Sequence, residues 1–67
     1  MSILKVIEVL AESDKSWEDA TQKAVKKASK TVNHIRSAYV QEHSATVKNG
    51  EVSTFRVNVK ITFAVEE

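Results

Sequence analysis

From Phe55 to Val65 every odd position is apolar (Phe55, Val57, Val59, Ile61, Phe63, Val65), and from Thr54 to Thr62 every even position is polar (Thr54, Arg56, Asn58, Lys60, Thr62). Successive side chains of a strand point to opposite faces, so this period of two specifies one long strand with a buried face and a wet face. At about 3.3 Å per residue the stretch from Val52 to Val65 spans roughly 45 Å. A compact body of 67 residues is only about 28 Å across, from a radius of gyration near 11 Å. The strand outruns its own subunit, and further copies of the chain are expected to bury it and to hide its sheet edges.

The rest of the chain supplies elements for this strand to pair with. Lys48-Asn49-Gly50-Glu51 separates it from a second run of strand formers, Arg36 to Val47. Asn-Gly satisfies the positive φ that both central residues of a type I′ turn require, so the two runs read as a hairpin. Ile3 to Leu10 is rich in Ile, Leu and Val and reads as a first strand buried over most of its length. Between these, Ser13 or Ser16 is suited to cap a helix with Glu18 and Asp19 in its first turn. The apolar face of that helix runs through Trp17, Ala20, Thr21, Ala24, Val25, Ala28, Val32 and Ile35, with Lys23, Lys26, Lys27 and Lys30 opposite. The expected fold is α+β: one β-α-β-β domain over residues 1–67, with a three-stranded antiparallel sheet wrapped on one helix.

A two-residue turn at Asn49-Gly50 fixes a register in which odd residues of the second strand share a face with even residues of the last. Ser37, Tyr39, Gln41 and His43 are then expected beside Arg56, Asn58, Lys60 and Thr62, with His43 opposite Arg56 and Glu42 on the helix side. Tyr39 offers an aromatic surface for stacking, and Arg56 a planar fork for an anion.

Composition excludes several kinds of function. Cysteine is absent, which removes disulfides and thiolate metal sites together. The single glycine rules out a glycine-rich phosphate loop. Ten basic residues against nine acidic give a net charge of +1, no basis for wrapping nucleic acid. Met1-Ser2-Ile3-Leu4-Lys5 is not a signal segment and no apolar stretch has membrane-spanning length, so a cytoplasmic protein is expected.

Val6-Ile7-Glu8-Val9, then Ser16-Trp17-Glu18-Asp19-Ala20, Ala28 with Thr31-Val32, Phe55-Arg56-Val57 and Ile61-Thr62-Phe63 together resemble the dodecins over nearly the whole chain. These small proteins assemble as hollow shells of twelve subunits and typically bind flavins. The resemblance implies a homo-dodecamer that sequesters a small molecule, with riboflavin or FMN the leading candidate; the alternative is a divalent-cation-binding or purely structural assembly of the same kind that does not bind flavin. The matching positions, Ser37 and Arg56, together with Tyr39 on the face given by the hairpin register, are the residues expected to touch it. Flavin-binding members carry a stacking tryptophan at the position of Ser37 and a hydrogen-bonding glutamine at that of Arg56. Their Gly-Thr-Ser before the helix is Ala11-Glu12-Ser13 here.

No residue set looks catalytic. Ser37 and His43 are six positions apart on one strand, roughly 20 Å, and no enzyme activity is expected. Trp17 reads as a packing residue or interface anchor, and the lysines as a solvated helix face. His34 and His43 lack the spacing of a zinc pair. Glu12, Asp14 and Glu42 are candidates for a hard cation such as Ca²⁺ or Mg²⁺, because symmetry multiplies each carboxylate around an axis. Glu42 stands where some dodecins carry a metal-binding acid.

Overall fold

The alternating segment becomes β3 (Glu51–Val65), the central strand of a three-stranded antiparallel sheet with β1 (Ile3–Ser13) on one side and β2 (Ile35–Lys48) on the other. The structure, a computed structural model, describes residues 3–65. One helix, α1 (Trp17–Ala28), lies on one face of the sheet, in the expected β-α-β-β order.

Ser16 caps α1, its Oγ accepting the Asp19 amide at 3.0 Å, while Glu18 and Asp19 at the start and Lys26 and Lys27 at the end complement the dipole. The helix stops at Ala28, short of Val32 and Ile35, which had been expected on its apolar face. Ser29 donates its hydroxyl to the Lys26 carbonyl at 2.7 Å, and the Thr31 and Val32 amides both close on the Ala28 carbonyl at 3.0 and 2.9 Å. The Ser29 hydroxyl bond and the i→i−3 bond of Thr31 compete with another regular helical turn, whereas the Val32 bond keeps the helical i→i−4 spacing. His34, at φ 63°, then redirects the chain, and Ile35 opens β2.

The core is a contact between small and branched residues. Ala20, Ala24 and Ala28 of α1 meet Val57, Val59 and Ile61 of β3, all three of which are wholly buried. The methyl group of alanine is too small to hold the backbones far apart, so the helix sits close over the middle strand.

β1 departs from expectation. Its apolar sequence predicts burial over most of its length, but only the side chains beneath α1 are covered, and Leu4, Val6 and Leu10 remain 54%, 57% and 62% exposed. β1 is an edge strand, and α1 covers a single face of the sheet. The molecule measures 51 × 19 × 13 Å with a radius of gyration of 13.7 Å, well beyond the roughly 11 Å of a compact chain this long.

Candidate functional site

The face of the sheet away from α1 carries the even residues of β3. The pairing of β2 with β3 has three irregularities that the simple register does not contain, one at Arg36 near the start of β2 and two that shape this face. The turn is as expected, with Asn49 and Gly50 at φ 54° and 78° and Lys48 opposite Glu51. Ser53 is then an extra residue on β3, after which Thr46 pairs with Thr54, Ser44 with Arg56 and Glu42 with Asn58. Gln41 is an extra residue on β2, which restores Tyr39 opposite Lys60 and Ser37 opposite Thr62.

Because a slip of one residue exchanges faces, the segment between the bulges is turned over relative to expectation. Ser44, not His43, stands opposite Arg56. Glu42 joins the open face instead of the helix side, and Gln41 leaves the paired ladder. His43, opposite Val57, turns toward the helix. There its ring stacks on Trp17 with centroids 5.5 Å apart and planes 18° from parallel.

Ser37, Tyr39 and Arg56 do share the open face but do not form one cluster. Tyr39 is 64% exposed and Ser37 is its neighbour two residues along β2. The Lys60 row of Tyr39 lies four residues from Arg56 along β3, about 13 Å.

Arg56 is instead part of a network that neither the alternation nor the hairpin register displayed. β1 pairs with β3 so that Glu12 lies opposite Arg56. Arg56 Nε donates to Glu12 Oε1 at 2.8 Å, and the Thr54 hydroxyl reaches the same oxygen at 3.3 Å. Thr46 and Thr54 join through their hydroxyls at 2.5 Å. The hydrogen bond from Arg56, reinforced by its charge, holds the Glu12 carboxyl below its ordinary value of 4.5 despite some desolvation. Laying Ile7, Val9 and Ala11 against Ile61, Val59 and Val57 would have exposed this pairing in the sequence.

One row along, Asn58 Nδ2 donates to Glu8 Oε2 at 3.4 Å, so Glu8, Glu12 and Glu42 belong to the open face. Asp14 lies in the connection between β1 and α1. Among the described residues no three His, Cys, Asp or Glu side chains come together as a metal site.

Trp17 takes the packing role expected of it. Its Nε1 donates to the Ser44 carbonyl at 2.9 Å, and its ring meets Phe55 edge-on at 4.9 Å. An open groove of about 570 Å³ runs beside it between α1 and β2, with Thr21, Val25, Val40 and His43 on its walls.

A family model described as Dodecin matches residues 3–66. Calcium dodecin of Mycobacterium tuberculosis is 36% identical over 63 residues, 94% of this chain and 89% of that protein. Its crystal structure, described as that of a calcium-chelating antigen with a novel calcium-binding site, matches with a TM-score of 0.84 at 35% identity, over 97% of this chain and 93% of that one. A mutant dodecin of Thermus thermophilus matches over the full length of both chains with a TM-score of 0.94 at 28% identity. A dodecin of Streptomyces coelicolor gives a TM-score of 0.93 at 27% identity, over 98% of this chain and 94% of that one. Fold, length and sequence agree from β1 to the end of β3: the chain belongs to the dodecin family.

Proposed function

We propose that the chain is a single non-enzymatic domain that assembles as a closed homo-oligomer, a dodecamer as in other dodecins, and holds a small planar ligand on the open face of its sheet. The observation carrying this reading is that Leu4, Val6, Leu10 and Tyr39 stand exposed around a polar centre on the face that α1 leaves bare. Covering those side chains contributes roughly 1.5 to 3 kcal/mol for each large apolar residue. The polar centre then becomes the lining of an enclosed space.

A flavin, riboflavin or FMN, is the ligand favoured. Tyr39 presents an exposed ring beside Ser37 for stacking, and Arg56 a charged edge for a polar group. Stacking within the assembly shields the bound ring from water. The absence of cysteine supports a reducing compartment such as the cytoplasm, and among the described residues no helix is long and apolar enough to cross a membrane. Native mass spectrometry of untreated protein is expected to give a mass of twelve subunits. Titration into riboflavin and into FMN is expected to quench their fluorescence. A monomer refutes the assembly, and unchanged emission at micromolar protein refutes the ligand.

A second reading, binding of a divalent cation such as Ca²⁺ or Mg²⁺, draws on the 36% identical relative called calcium dodecin. It also draws on the position of Glu42 on the same face as Glu8 and Glu12. One subunit offers an incomplete oxygen set with Glu12 already engaged, so the ion would lie between copies. Calorimetry with Ca²⁺ on chelator-stripped oligomer tests this, and an absence of heat refutes it.

A further inference from the structure

The Glu12–Arg56 pair joins two of the places where this chain departs from the flavin-binding pattern. We propose that Arg56, with the hydroxyls of Thr54 and Ser44, forms an anion-binding subsite for a phosphate group, and that Glu12 is the internal anion a ligand displaces. This rests on the ligand-binding reading above and makes it narrower: the preferred ligand carries a phosphate.

The Glu12 carboxylate shows what these donors accept. One of its oxygens takes both Arg56 Nε at 2.8 Å and the Thr54 hydroxyl at 3.3 Å, the combination of guanidinium and hydroxyl that suits a phosphate. Arg56 contributes only Nε to this pair. Its two terminal amino groups have no hydrogen-bond partner among the described residues, and its side chain is 45% exposed. The end of the guanidinium is thus available for bidentate contact. Ser44, directly across from Arg56, is exposed on the same face because the Ser53 bulge turned it there. Glu12 is 48% exposed, so its carboxylate has room to swing into solvent when a stronger anion arrives.

The test is calorimetry of the intact oligomer with pyrophosphate, beside fluorescence titrations with FMN and with riboflavin. Wild type is expected to bind pyrophosphate and to prefer FMN over riboflavin. Removing the competing charge with Glu12→Gln tightens pyrophosphate and FMN about tenfold, the size of one charge-assisted hydrogen bond. Arg56→Gln abolishes pyrophosphate binding and the FMN preference together. Arg56→Lys, which keeps the charge but not the fork, falls between. Native mass spectrometry checks that each variant remains assembled. Pyrophosphate binding with this variant pattern but no flavin binding upholds the anion site and refutes the flavin. Equal binding of FMN and riboflavin with no pyrophosphate binding does the reverse. Pyrophosphate affinity unchanged in Arg56→Gln, or unchanged in Glu12→Gln, overturns the proposal.

Discussion

The two faces of β3 obey the same alternation but are completed differently. On the helix side Val57, Val59 and Ile61 lose all contact with solvent within one subunit. On the open side the neighbours of the polar column include Val6, Leu10 and Tyr39, each more than half exposed. One face is a finished core, and the other leaves large apolar side chains uncovered within the subunit. Periodicity separates the faces, but only the position of α1 determines which of them a lone chain can bury.

The sharpest way to break this contrast is to damage the finished face. Ile61→Ala leaves a cavity under α1 and is expected to cost about 2–5 kcal/mol. Denaturant unfolding at fixed protein concentration measures it, since the stability of an oligomer depends on concentration. A cost well under 1 kcal/mol would mean that the alanine face of α1 closes over the gap and that the core is looser than it looks.

Leu10→Lys probes the other face. At 62% exposure the lone subunit has little to lose, so any large effect comes from assembly. Far-UV circular dichroism is expected to stay unchanged while sedimentation velocity shows the oligomer falling to smaller species. An intact oligomer would show that the open face is not where copies meet.

The same contrast explains what could be read from the sequence. The β-α-β-β order, the Asn49-Gly50 turn and the buried odd face all follow from local signals, because periodicity, turn chemistry and capping act within a few residues. The site was less legible. Ser53 and Gln41 look like ordinary strand residues, yet as bulges they exchange the faces of Glu42, His43 and Ser44. The Glu12–Arg56 bond joins residues 44 positions apart and depends on which strand becomes central. The exposed apolar side chains of β1 resembled core residues because a strand sequence records that a face is covered, not whether its own subunit covers it.

A smaller effect is expected at the start of the helix that separates the two faces. Ser16→Ala removes the acceptor for the Asp19 amide and is expected to cost about 1 kcal/mol. The same denaturant experiment reads it, with no change in oligomer size. Loss of assembly would mean that the helix start is itself an interface.

The smallest expected effect distinguishes the faces by their electrostatics. Asp19, beside α1, is held below its ordinary value of 3.8 chiefly by the Ser13 hydroxyl, which donates to it at 2.6 Å, with Lys23 and Lys15 adding to the shift against some desolvation. Glu12, on the open face, is held below 4.5 chiefly by its hydrogen bond from Arg56. Both carboxylates are more acidic folded than unfolded, so each contributes stability above its unfolded value. That contribution is lost as pH falls through the lower folded value. Stability is therefore expected to decline below about pH 4.5. Salt screens the charged partner more than the neutral hydroxyl, so carboxyl chemical shifts followed in 1 M NaCl should show Glu12 moving up toward its ordinary value further than Asp19. Equal movement would mean that the Arg56 bond is as well shielded from salt as the bond from the Ser13 hydroxyl.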